Sequence, residues 1–274
     1  MSAPKPPTVC ASISRFPSPL GRAMHDAGYR ALGLNFLYVP FACRDIKGAV
    51  AGVRALSIRG AGISMPFKVE ILPLLDGLDE LARRIGAVNT VVNDGGHLVG
   101  HNTDAVGARR ALEERGELGG RSALVLGAGG AARAIALGLL DAGVRVSVTN
   151  RGEDRLRELA ASLPGLETLP WADRAAAARD ADLVVNATSL GMADVDPASP
   201  LPAEALRPGQ RVLDAVFKPV QTALLAEAAR AGATAIDGTR MLLHQAMAQF
   251  TLYTGLPAPQ AAMEAGLRSA LGGP

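Results

Sequence analysis

Between Ser122 and Ala132 the chain reads Ser-Ala-Leu-Val-Leu-Gly127-Ala128-Gly129-Gly130-Ala131-Ala132, the G-x-G-x-x-A spacing that lets a backbone close around an anion. Gly127 permits a tight turn, Gly129 lets the chain approach a pyrophosphate, and Ala132 allows the following helix to pack close on the strand before it. That helix then turns its N-terminal N–H groups and the positive end of its dipole toward the anion. Gly127, Ala128, Gly129, Gly130 and Ala131 are therefore the expected dinucleotide contacts. No Gly-Lys-Ser/Thr follows, which excludes a P-loop. Further on, Thr149-Asn150-Arg151-Gly152 stands where an NAD enzyme carries an acidic residue for the ribose 2′-hydroxyl. A carboxylate would repel a 2′-phosphate. Arg151 offers it a planar fork, with Asn150 as a further donor and Arg155 one helical turn on, so the expected cofactor is NADP. The competing reading has Arg151 capping a surface turn.

The elements around this loop alternate short β-branched runs with Ala/Leu-rich helical patterns, the mark of a parallel sheet covered by helices. Expected strands are 123–126, 144–149, 183–186, 212–215 and 233–236, with a helix over 131–142 ending at Gly143. The first hundred residues form a second α/β unit, with strands expected at 9–13, 35–39, 62–65 and 87–92. Asn93-Asp94-Gly95-Gly96 reads as a hairpin turn, because successive positive φ angles favour Asn, Asp and Gly. From Thr239 to Leu271 the pattern is helical, with no strand left to pair. The fold class is thus α/β: a Rossmann dinucleotide-binding domain over 105–237, inserted in an N-terminal α/β substrate domain of residues 1–104 that is completed by C-terminal helices over 238–274.

The bulk numbers set limits on function. With 49% hydrophobic and 20% charged residues among 274, the chain has the composition of a folded globular protein. Its 28 basic and 26 acidic residues nearly cancel and form no basic run, so nucleic acid is not an expected partner. The opening Met1-Ser-Ala-Pro-Lys-Pro-Pro has no apolar stretch and no later run of 18 apolar residues occurs, so neither export nor a membrane is expected. Cys10 and Cys43 read as small buried hydrophobes in a reducing cytoplasm. The four histidines lack metal-ligand spacing, so no metal is expected.

Taken in order, the motifs resemble the shikimate dehydrogenase family across nearly the whole chain. Ser64-Met-Pro-Phe-Lys68 is similar to its Thr-x-Pro-Phe-Lys, Gly86-Ala-Val-Asn89-Thr90 to its G-A-V-N-T, and Asn102-Thr-Asp104 to its N-T-D. The glycine loop, Asn150-Arg151, Asn186-Ala-Thr-Ser-Leu-Gly-Met192 and Gly238-x-x-Met241-x-x-x-Gln245-Ala246 complete the series. The resemblance implies reversible hydride transfer between NADP and shikimate/3-dehydroshikimate or a related cyclic hydroxy acid, in aromatic amino acid biosynthesis, by a monomer or homodimer. It makes Lys68, at the end of a strand, the proton carrier, with Asp104 orienting its ammonium and binding the same hydroxyl. Without the family pattern, Lys68 would read as a solvated helix-start lysine and Asp104 as a helix cap. The resemblance further makes Ser64, Asn89 and Gln245 substrate donors, with Thr188, Met192, Ala215 and Gly238 along the cofactor cleft.

Departures from the pattern fall on the substrate side. The family's Ser-x-Ser-Pro element, which binds the substrate carboxylate just before a helix, is not intact. Ser12, Ser14 and Ser18 offer two partial registers, while counting back from His25 puts Pro19 and Gly21 where the serines belong. Phe217 replaces a tyrosine that usually contacts substrate, and Arg240 replaces a small residue. Loss of hydroxyl donors and gain of a cation predict an altered substrate preference, with shikimate poorly accepted and quinate or an aminoshikimate as alternatives. These features resemble the shikimate dehydrogenase-like subgroup. The second reading is a non-catalytic NADP-responsive binding protein on the same fold.

Overall fold

The computed structural model describes residues 6–272, so most of the opening Met1-to-Pro7 stretch lies outside it. The chain divides into two compact units, residues 1–103 with 245–274 and residues 104–244.

In the first unit the order is β1 (Thr8–Ser14), α1 (Pro19–Ala31), β2 (Phe36–Ala42), α2 (Ile46–Ala55), β3 (Gly60–Ile63), β4 (Gly77–Leu78), α3 (Glu80–Ile85), β5 (Thr90–Asp94) and β6 (His97–His101). The sheet runs β2-β1-β3-β5-β6-β4. β1 pairs in parallel with β2 and β3, whereas β5 is antiparallel to both β3 and β6. Strand alternation divides β1 cleanly. Ala11 and Ile13 enter a core with Val50, Val53, Ile63, Val91 and Leu98, leaving Cys10, Ser12 and Ser14 for the other face. The expected hairpin forms at Gly95 and Gly96, both with positive φ. The strand expected from Ala87 begins instead at Thr90. Val88 and Asn89 spend their amides singly on Lys68 O and His101 O and make no continuous ladder.

The second unit contains α4 (Asp104–Glu113), β7 (Ser122–Leu126), α5 (Gly130–Leu140), β8 (Arg145–Thr149), α6 (Glu153–Ser162), β9 (Glu167–Leu169), α7 (Arg174–Asp180), β10 (Leu183–Asn186), β11 (Arg211–Asp214), α8 (Ala223–Arg230) and β12 (Thr234–Ile236). All six strands are parallel in the order β9-β8-β7-β10-β11-β12, the doubly wound dinucleotide topology whose order reverses between β7 and β10. Burial on both faces explains why β7, β10 and β11 read as unbroken apolar runs.

The chain ends in α9 (Gly238–Thr254), across which the division falls, and α10 (Gln260–Ala270). α10 lies against α1, close enough that a Cβ on Gly266 would stand 2.4 Å from the carbonyl oxygen of Ala23. No described helix is long and apolar enough to cross a membrane.

Within the first unit an aromatic cluster joins α1, β2 and α9. His25 stacks on Tyr38 at 4.4 Å and neighbours Tyr29, Phe250 and Tyr253. Burial pushes the imidazole down to about 3, so the folded chain keeps it neutral while the unfolded chain protonates it near 6.5. Stability is therefore lost as pH falls below about 6.5, because the unfolded state alone takes up the proton. In urea unfolding between pH 7 and pH 4, His25→Phe is expected to gain steadily on the wild type as pH falls. A pH-independent difference between the two would show that His25 does not contribute to the acid limb.

Candidate functional site

In the first unit a hydrogen-bonded cluster is built on Asn89, a buried residue just before β5. Its Oδ1 accepts from Thr90 Oγ1 at 2.7 Å, Thr103 N at 2.8 Å and Thr103 Oγ1 at 3.2 Å. Its Nδ2 donates to Thr103 Oγ1 at 2.9 Å and lies 3.5 Å from Gln245 Oε1. Gln249, one turn beyond Gln245 on α9, donates to Thr90 Oγ1 at 3.0 Å and to Asn89 O at 3.3 Å. Burial of these groups is tolerable because each finds a partner. Asn89 and Gln245, some 150 positions apart in sequence, are thus brought together, with Gln245 as the half-buried edge of the cluster. Thr90, Thr103 and Gln249 were not singled out by the sequence reading. Two of them belong to motifs it quoted, and the i, i+4 spacing of Gln245 and Gln249 was the available signal for the third.

Lys68 does not lie at a strand end. β3 stops at Ile63, and Lys68 sits half-buried in the turn that follows, fixed by the burial of Phe67 and by Val88 N donating to Lys68 O at 2.8 Å. Asp104 opens α4 and is buried, a position that suits a carboxylate because the helix dipole is positive there. Ser64 is exposed directly after β3, beside Ile13 O, which accepts from its amide at 3.0 Å.

The three candidate serines are not brought to one place. Ser12 and Ser14 share one face of β1, Ser12 half-buried and Ser14 buried. Ser18 is the N-cap of α1 and accepts from Leu20 N at 3.3 Å. Pro19 forms the first turn of that helix, and a Cβ on Gly21 would meet only the Tyr38 ring and hydroxyl at 3.5 Å. At the start of α1 the hydroxyl present is therefore that of Ser18 at the N-cap, while Pro19 and Gly21 carry none.

In the second unit the glycine loop has the shape that the spacing predicts. Gly127 turns at φ +112, and a Cβ there would lie 3.0 Å from the carbonyl oxygen of Ala187. Gly129 is the N-cap of α5 with no side-chain cap, and a Cβ on it would project into open space. Gly130 and Ala131 follow in the first turn, Ala128 is buried, and Ala132 is buried against the sheet. The first-turn N–H groups of α5 and the open space over Gly129 fit a dinucleotide pyrophosphate. Asn150 Nδ2 donates to Gly152 O at 2.9 Å, shaping the turn after β8. Arg151 and Arg155 are both exposed beside that turn.

The remaining cofactor-side candidates sit at the ends of β10, β11 and β12. Thr188 is half-buried, and its hydroxyl donates to Asn186 Oδ1 at 2.7 Å and accepts from Leu190 N at 3.1 Å. Ala215 follows β11 and donates its amide to Asn186 O at 2.8 Å. Gly238 begins α9. Arg240 is not the unopposed pocket cation that its substitution suggested. Glu114 accepts from Arg240 Nε at 3.0 Å and pairs with His244 Nε2 at 2.7 Å. Burial works against the Glu114 carboxylate, yet these two partners outweigh it and hold its carboxyl below the usual range.

Three family models match the chain: the shikimate dehydrogenase substrate binding domain over residues 11–91, shikimate / quinate 5-dehydrogenase over 109–195, and the shikimate 5'-dehydrogenase C-terminal domain over 238–268. The chain is 45% identical over 264 residues to the shikimate dehydrogenase (NADP(+)) of Moorella thermoacetica, covering 92% of this chain and 90% of that protein. Among solved structures it is similar to shikimate 5-dehydrogenase from Thermus thermophilus in complex with NADP(H) and shikimate. That match has a TM-score of 0.87 at 39% identity and covers 96% and 99% of the two chains. A shikimate 5-dehydrogenase-like protein matches with a TM-score of 0.86 at 32% identity, covering 98% and 99%. With its Rossmann unit, its glycine loop and this degree of identity over nine-tenths of its length, the chain belongs to the shikimate dehydrogenase family.

Proposed function

We propose that this protein is an NADP-dependent dehydrogenase of shikimate or a related cyclic hydroxy acid, interconverting the ring alcohol and its ketone. On this reading the chain serves aromatic amino acid biosynthesis. The observation that carries the proposal is the coexistence of two sites on one chain: a dinucleotide cradle at Gly127–Gly130 with Arg151 and Arg155 beside it, and the Asn89–Thr103–Gln245 cluster. NADP would supply the hydride acceptor. The Rossmann unit binds and orients it, with the N-terminus of α5 on the pyrophosphate and the two guanidinium groups on the 2′-phosphate. The other unit binds the hydroxy acid, with Asn89 and Gln245 as hydroxyl partners and Ser64 as a further donor. Lys68 takes the hydroxyl proton as hydride passes from the carbinol carbon to NADP and returns it in the reverse direction, with Asp104 as the second group assigned to that hydroxyl.

No observation favours a non-catalytic role. The helix start at Pro19–Gly21, without hydroxyls, bears on substrate preference and leaves these proton-handling groups untouched. Anchoring of a substrate carboxylate then falls to the hydroxyls of Ser12 and Ser14 on β1 and of Ser18, whose cap uses its oxygen as an acceptor and leaves its O–H to donate.

Purified protein is expected to reduce NADP with at least one member of a panel of shikimate, quinate and amino analogues. Silence across that panel would overturn the activity. Lys68→Ala should lower kcat by about 10²–10⁴-fold with NADPH affinity nearly unchanged, because it removes proton transfer and no cofactor contact. Equal loss of cofactor binding would take Lys68 out of the catalytic role. Arg151→Ala should raise KM for NADP by roughly ten- to a hundredfold and leave KM for NAD alone, since the lost bonds are charge-assisted contacts to the 2′-phosphate. Identical effects on both cofactors would return Arg151 to a surface-turn role.

A further inference from the structure

Asn186 closes β10 and Asp214 closes β11, and the parallel register sets the two side by side. Neither has any exposed surface. Asp214 Oδ1 accepts from Asn186 Nδ2 at 2.9 Å and from Val216 N at 3.0 Å, and Oδ2 accepts from Thr222 Oγ1 at 2.7 Å. Burial pushes this carboxyl up to about 6, with the three hydrogen bonds pulling the other way. A buried carboxylate is costly unless donors meet it, so the three donors and the loops that carry them are held to one geometry.

Each donor carries the network into a neighbouring loop or helix. Asn186, turned by Asp214, points its Oδ1 at Thr188, accepting from Thr188 N at 3.0 Å and from its hydroxyl at 2.7 Å. The residue between them, Ala187, carries the carbonyl oxygen that lies 3.0 Å from where a Cβ of Gly127 would stand, so the same loop backs the glycine turn. Val216 continues from Ala215, and its carbonyl oxygen lies 2.5 Å from the Cβ position of Gly238, a place only glycine can occupy. Thr222 caps α8 through Leu225 N at 3.3 Å and so ties that helix to the same carboxyl.

Resting on the NADP reading above, we propose that Asp214 is the positioning residue for the nicotinamide half of the dinucleotide site. It acts through Asn186 on Thr188 and through Val216 on Ala215 and Gly238, without touching the cofactor. The adenosine half, held by Arg151 and its neighbours at the end of β8, is independent of it.

That separation gives the test. Binding of NADPH and of adenosine 2′-monophosphate, which carries the 2′-phosphate and no pyrophosphate group, is measured by calorimetry on the wild type and on folded variants. Asp214→Ala is expected to weaken NADPH by about tenfold or more and leave the monophosphate within about twofold. Asp214→Asn is expected to restore NADPH binding, because it keeps an oxygen toward Asn186 and Val216 and turns its amide toward the Thr222 hydroxyl. Thr188→Val breaks the last link on a half-buried residue that folding tolerates, and should weaken NADPH selectively, whereas Thr188→Ser should not. Wild-type NADPH affinity in Asp214→Ala would overturn the proposal, as would equal weakening of both ligands. If Asp214→Ala does not fold, the Thr188 pair decides, and equal NADPH affinity in Thr188→Val and Thr188→Ser would overturn it. Wild-type protein that binds neither ligand would instead remove the cofactor reading, and this proposal with it.

Discussion

Asn89 and Asn186 are both buried amides at strand ends, one in each unit, and nearly every polar atom on them is already claimed by the protein. An amide in such a place must find partners or cost the fold about 1–3 kcal/mol, so it recruits groups from elsewhere in the chain and holds them still. Asn89 recruits Thr90, Thr103 and Gln245; Asn186 recruits Thr188, Leu190 and Asp214. In each unit a candidate site residue is thereby held by neighbours that are not candidates themselves. A site held this way loses little conformational entropy on binding, which suits reactions that depend on alignment of a carbon, a hydride acceptor and a proton carrier.

The two units meet this constraint with different sheets. In the Rossmann unit every strand is parallel, and the central β7, β10 and β11 are buried almost throughout, so that Leu126, Asn186 and Asp214 close them in neighbouring register at the carboxyl ends. In the other unit the mixed sheet is joined before β5 by single backbone bonds, Val88 to Lys68 and Asn89 to His101 and Ile63, and the Asn89 side chain gathers its own partners there.

Much of the cofactor half was legible in the sequence, since its signals are local. Gly127, Gly129 and Ala132 act within one turn and one helix, and Arg151 within the next turn, so spacing alone states their geometry. The doubly wound sheet was legible for the same reason: each βα unit announces itself by a change of period from two to 3.6. Family motifs supplied Lys68, Asn89, Asp104 and Gln245. Local pattern could not have ranked them, because a lysine after Pro-Phe and an aspartate at a helix start are ordinary. The expected strand at Ala87 failed where apolar residues were present but their amides went singly to Lys68 and His101.

Fold class, the dinucleotide loop and its preference for a 2′-phosphate depend on residues within a few positions of one another, so the order of amino acids was enough to state them. Which polar residues share a site became visible in the folded chain and nowhere earlier. Folding joined Gln245 to Asn89, tied Arg240 to Glu114, set Ser18 at a helix cap, and assembled Asp214 and Asn186 from two strands into one network. Most of these partnerships are made by chain crossings of tens to hundreds of residues, and no local period or propensity encodes them.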